Sequence, residues 1–162
     1  MTFASVMLIS ICFAQQDADF QTGEALKAKE DYKGAIEAYS RALKNNPKNI
    51  NALLQKAYCQ SAQGNYQSAI IDYSEVIKIK PDHIYSYLTR GSAYNKLKKY
   101  NEALSDFDKV LELDPKNQEG YNNRGWAKKG LDDTDGACKD WNKSKKLGNG
   151  EAKIILKNNK CK

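Results

Sequence analysis

Few side chains in this sequence could do chemistry. His83 is the only histidine, and it follows Pro81-Asp82 in a polar turn. In that position it reads as a solvated loop residue. Four cysteines are present, Cys12, Cys59, Cys138 and Cys161, with no Cys-x-x-Cys among them. A dithiol redox motif or a zinc ribbon therefore has no support. Asp132, Asp133 and Asp135 form an acidic run. It lacks the later ligands of a calcium loop, and a polar helix start explains it as well. There is no His-Glu-x-x-His pair and no glycine-rich phosphate loop behind a strand. The sequence thus nominates no catalytic residue, metal or cofactor, and the expectation is a non-enzymatic binding protein.

The elements that would position a binding surface are written as a repeat. Residues 85–115 read as two amphipathic helices around a short turn near Lys98–Lys99. That pattern recurs every 34 residues. Ala35, Ala69, Ala103 and Ala137 form a small-residue column, and Tyr39, Tyr73, Phe107 and Trp141 an aromatic one. Gly23, Ala57, Gly91 and Gly125 form a second small column, and the only prolines, Pro47, Pro81 and Pro115, close three of the pairs. The small residues are expected to let paired helices approach closely, and the large rings to fill the space between successive repeats. Truncating one ring should cost about 3–5 kcal/mol. Tyr32, Tyr66 and Tyr100 open the second helices and are expected to pack on the first helix of their own pair. A fixed period of this length marks a helical repeat array.

These columns resemble the tetratricopeptide repeat (TPR) family over residues 16–149. The resemblance implies an all-α fold, a right-handed superhelical solenoid of four TPR helix pairs. The repeats are expected at about 16–49, 50–83, 84–117 and 118–149. A capping helix at about 151–159 would carry Ala152, Ile155 and Leu156 inward, completing a domain over 16–160. In the family, the first helix of each pair lines the concave surface. Carried onto this chain, the groove would hold Leu54, Tyr58, Tyr85, Leu88 and Trp126, edged by Asn51, Asn95, Asn122 and Lys129. Aromatic side chains interleaved with amides suit an extended peptide or a partner helix. The alternative is that Leu54, Leu88 and Trp126 belong to the interhelix core. The family's carboxylate clamp for chaperone tails needs Lys, Asn and Arg, whereas Phe20 and Glu24 stand in the leading columns here, so that resemblance fails.

Residues 1–14 carry no charge and include an apolar run at 6–13, before polarity returns at Gln15-Gln16-Asp17. This has the shape of a secretory signal peptide cut after Ala14, although it lacks a basic start. The run is too short to span a bilayer, so no transmembrane segment is expected in the mature chain. A lipid attached at Cys12 and a buried N-terminal helix are the other readings. After export, Cys138 and Cys161 could join as a disulfide stapling the capping helix to the last repeat, worth about 2–4 kcal/mol. Two unlinked thiols are the alternative. Cys59 falls in a column with Ala93 and Ala127 and reads as small apolar packing. The stretch 136–141 resembles envelope TPR proteins of the Bacteroidetes type.

The lysine excess behind the net charge of +6 is spread over helix faces and loops, with a mild concentration at the C-terminus, and an apolar content of 41% excludes a disordered chain. The expectation is therefore an exported, periplasmic or envelope-associated scaffold for a protein or peptide partner, with no nucleic acid. The alternative is a structural subunit that assembles, with itself or a larger complex, through solenoid edges or its convex face.

Overall fold

The computed structural model describes residues 18–161. The expected signal segment with Cys12, and Asp17 of the first groove column, lie outside the described residues. Every regular element among the described residues is α-helical. The helices are α1 (18–28), α2 (Tyr32–Asn45), α3 (Ile50–Ala62), α4 (Tyr66–Ile79), α5 (Ile84–Lys96), α6 (Tyr100–Leu113), α7 (Gln118–Gly130), α8 (Thr134–Lys146) and α9 (Glu151–Asn158). The fold class is an all-α helical-repeat solenoid. Two compact units divide the chain, α1–α4 and α5–α9.

The turn inside each pair has a backbone cause. Glu30, Gly64, Lys98 and Asp132 all adopt positive φ, between 57° and 80°. In that left-handed conformation the following N–H turns back onto the preceding helix. Asp31 N–H donates to the Leu26 carbonyl at 3.0 Å, and Asn65, Lys99 and Asp133 repeat the bond to Gln60, Tyr94 and Lys128. Side chains cap several of the helix starts, though not those of α6 and α9. Asn49, His83 and Asn117 accept from the third residue onward at the head of α3, α5 and α7. His83 is therefore not a solvated loop residue. It is the cap of α5, in the column where the neighbouring pairs use asparagine. Asp31 and Asp133 cap α2 and α8, so Asp133 of the acidic run is a helix start.

The aromatic column is buried throughout, with Tyr39, Tyr73, Phe107 and Trp141 at most 2% exposed. Each of three rings sits directly on a glycine of its own pair. A Cβ added at Gly23 would lie 2.5 Å from the Tyr39 ring, at Gly91 2.8 Å from Phe107, and at Gly125 2.5 Å from Trp141. The glycines thus seat a ring within the pair, and the rings also reach the following repeat as expected, Tyr39 clustering with Cys59 and Phe107 with Ala127. Tyr32 and Tyr100 also depart from expectation. Tyr32 meets Tyr58 edge-on at 6.4 Å, and Tyr100 covers Gly130, so both lean on the first helix of the following pair.

Beside the rings runs a polar column that periodicity did not flag. Lys56 pairs with Asp72 at 3.1 Å, Arg90 with Asp106 at 2.6 Å, and Arg124 with Asp140 at 2.8 Å, always 16 residues apart. The three carboxylates are buried. A buried carboxylate without a partner is very costly, so each first helix supplies its second helix with a cation. Arg124 also grips Asp108 of α6 at 2.7 Å, tying α6 to α7. In the first pair Asp19 pairs with Arg41 instead, at 3.0 Å, which explains an acid where later pairs carry Leu53, Tyr87 and Tyr121.

The second unit ends on a small core of Ala137, Trp141 and Leu156, with Ile155 and Cys161 against it. Cys138 and Cys161 are joined as a disulfide with Cα atoms 5.5 Å apart. Cys59 is a free thiol, wholly buried, and burial pushes its pKa up.

Candidate partner-binding face

In the first unit the first-helix positions divide between packing and exposure. Leu54 packs partly buried against Ala57, Ala69 and Tyr73. Asn51 is exposed, and Tyr58 is 45% exposed. The α1 end of this face is filled by its own polar cluster. Lys27 Nζ donates to both Glu24 oxygens and to Gln55 Oε1, while the Tyr39 hydroxyl donates to Glu24 Oε1. Burial alone would push the Glu24 carboxyl up, but the hydrogen bonds from Lys27 and Tyr39 outweigh it and hold the pKa below its ordinary value. Those donors and acceptors are spent internally, so the first pair offers little to a ligand.

In the second unit Leu88 is buried with Ala103, Phe107, Val110 and Ala127 and serves the core. Tyr85 is 49% exposed and lies edge-on to His83. Trp126 is 40% exposed, with its ring 5.0 Å from that of Trp141, and the Lys129 ammonium sits 5.4 Å from its centroid. Lys129 also donates to Asn159 Oδ1, so the segment after α9 reaches this face. Ser92, Asn95, Lys96, Tyr100, Asn123 and Trp126 line a concavity of about 440 Å³. Asn95 Nδ2 donates to the Asn123 carbonyl at 3.0 Å, and Asn123 Nδ2 to Ser92 Oγ at 3.3 Å. The Oδ1 atoms of Asn95 and Asn122 are buried and accept no hydrogen bond among the described residues.

Of the expected residues, the structure brings Asn95 and Trp126 to the concavity and places Lys129 on the Trp126 ring, while Leu88 goes to the core. Tyr100, Lys96 and Asn123 were not nominated. The signal for Tyr100 was present, because its column opens each second helix beside the end of the next first helix. Among the described residues, no three His, Cys, Asp or Glu side chains cluster as a metal site would require. No described helix is long and apolar enough to cross a membrane. Cys59 is sealed in the core and His83 is committed to its cap.

An array of two-helix repeats with an amide- and aromatic-lined first-helix face defines a protein-interaction scaffold. Tetratricopeptide repeat models match residues 20–84 and 84–117, together more than half of the chain, and the chain belongs to the tetratricopeptide repeat family. No curated protein matches it significantly by sequence. Among solved structures it is similar to MamA 41-end from Desulfovibrio magneticus RS-1, with a TM-score of 0.77 and 23% identity over 82% of this chain and 75% of that one. It is also similar to YrrB, described as a TPR protein with an unusual peptide-binding site, at TM-score 0.81 and 18% identity over 88% of this chain and 74% of that one. A third is the first TPR of Spaghetti (RPAP3) bound to an HSP90 peptide, at TM-score 0.69 and 24% identity over 74% of this chain and 94% of that one. These likenesses concern the fold.

Proposed function

We propose that the chain is a non-catalytic scaffold whose first-helix face binds an extended peptide or a helix of a partner protein. The observation that carries this is the contrast between two sets of aromatics. Tyr73, Phe107 and Trp141 on second helices are buried, whereas Tyr58, Tyr85 and Trp126 on first helices are 40–49% exposed. Large rings left half in water mark contact anchors rather than core. Two of the similar folds are described with a peptide or a peptide-binding site, which agrees with this reading.

The test places a photo-crosslinking residue at Tyr85 or Trp126, both in the second unit, and in parallel at Ile71 of α4. The expected result is one partner segment captured from Tyr85 and Trp126, and lost when the other aromatic is changed to Ala. Ile71 is 57% exposed, which favours a second reading as an assembly subunit. Capture of a second copy from Ile71 alone would replace the first reading with that one.

Export to an oxidising compartment completes the proposal. The joined Cys138–Cys161 pair supports it, because stable disulfides belong to such compartments. Intact mass from the native host, with thiol alkylation before and after reduction, tests it. A chain starting at Gln15 with both thiols masked is expected. An uncleaved chain with free thiols would return the protein to a reducing compartment.

A further inference from the structure

The positive charge of this protein is not evenly distributed. Residues 138–162 hold eight lysines and two acids, a net of +6. The formal net charge of the whole chain is also +6, so the preceding 137 residues balance to zero. The two cysteines bracket this segment, with Lys139 directly after Cys138 and Lys160 directly before Cys161.

The structure makes the segment a cationic surface. Lys139, Lys143, Lys145, Lys146, Lys153, Lys157 and Lys160 are all exposed. None is in an ion pair among the described residues. Of the two acids, Asp140 is buried and already matched by Arg124 and Lys128, which leaves Glu151 on the surface of the segment and Asp135 exposed in the first turn of α8, just before it. Lys139, Lys143 and Lys146 recur at four- and three-residue spacing along one face of α8. On α9, Ala152 and Leu156 face inward, which turns Ile154 outward between Lys153 and Lys157, 63% exposed. The helix dipole accounts for lysines in the last turns of α8 and α9, Lys157 included, but not for Lys139 or Lys153.

We propose that the disulfide-closed α8–α9 pair is a docking surface for the anionic headgroups of a lipid bilayer. Clustered ammonium groups are drawn to a negatively charged surface, and an apolar side chain among them can enter the headgroup boundary. The composition favours this over nucleic acid. All cations of the segment are lysine, with no arginine fork for bidentate phosphate or base contacts and no exposed aromatic to stack on bases. The disulfide holds both helices in place, so little order must be gained on docking.

The experiment is co-sedimentation of the full, oxidised chain with phosphatidylcholine–phosphatidylglycerol vesicles and with pure phosphatidylcholine vesicles. Binding to the anionic vesicles alone is expected, and its loss at about 0.5 M salt. Changing Lys153, Lys157 and Lys160 to Gln should weaken it on the order of 100-fold. A control changes three exposed lysines of the first unit, Lys33, Lys44 and Lys48, to Gln. It removes the same charge and should bind nearly as well as the native chain. Ile154→Ser, which leaves the charge intact, should weaken binding by a smaller factor. Equal losses from the two lysine triples would show that net charge alone acts, and would overturn the proposal. So would failure to sediment with anionic vesicles while single-stranded DNA is retained.

Discussion

Protonating a single imidazole should loosen the start of α5. His83 Nδ1 accepts from the Ser86 backbone N–H at 3.3 Å and lies 2.8 Å from Ser86 Oγ, in a site where Ser86 is wholly buried. Burial lowers the His83 pKa below 6.5, Lys80 lowers it further, and Asp82 raises it. A folded pKa below the unfolded one means that the cap contributes fully above the unfolded value. That contribution is lost as pH falls through the folded one. The cap is worth about 1 kcal/mol. His83→Asn should keep the cap and remove the titration, so its Tm should overtake that of the native chain between about pH 7 and pH 5. Parallel Tm curves over that range would rule the mechanism out. His83 was misread because its neighbours Pro81 and Asp82 signal a turn. Only alignment with Asn49 and Asn117 reveals the cap. The Lys56, Arg90 and Arg124 ion pairs were hidden in a similar way, since a cation on a helix reads as solvated until the opposing helix is in place.

At the scale of the helix pair, the turn is governed by one left-handed residue rather than by side-chain contacts. Gly64 shows this most cleanly, with φ of 80° and nothing within 4 Å of where a Cβ would stand. Gly64→Ala should therefore destabilise by about 1 kcal/mol through backbone strain alone. Chemical denaturation would read this as a lower midpoint with an unchanged slope. No loss on substitution would mean the turn relaxes freely. The pairs themselves were plain in the sequence, because small, aromatic and proline columns repeat at a fixed interval. The turn column was not, since Glu30, Lys98 and Asp132 do not announce positive φ as glycine does. The seating of rings on Gly23, Gly91 and Gly125 was half legible. The small column showed that something comes close, but not that it is the aromatic column of the same pair.

At the scale of the whole molecule, the disulfide separates the behaviour of the two units. Closing a loop with a sequence separation of 23 removes unfolded-state freedom worth about 3 kcal/mol. Changing Cys138 and Cys161 to Ser should lower amide protection in α8 and α9 and leave α1–α4 as before, as read by hydrogen exchange. Unchanged protection in α8 and α9 would mean the bond restrains nothing. The binding face was only partly legible. Tyr58, Tyr85 and Trp126 follow from counting around a helix. The concavity beside Trp126 depends on side chains from three helices, which no single-helix pattern can bring together.

Trp126 and Trp141 are the only tryptophans in the chain, and both belong to the second unit with rings 5.0 Å apart. Trp141 is shielded from water and Trp126 is half open to it. All indole emission thus arises from one spot, a buried emitter coupled to a wet one, while the first unit contributes only tyrosine. The protein carries its own optical probe. A ligand that covers Trp126 will shift the emission to the blue without any label, and one that settles on the first unit alone will leave the indole spectrum still.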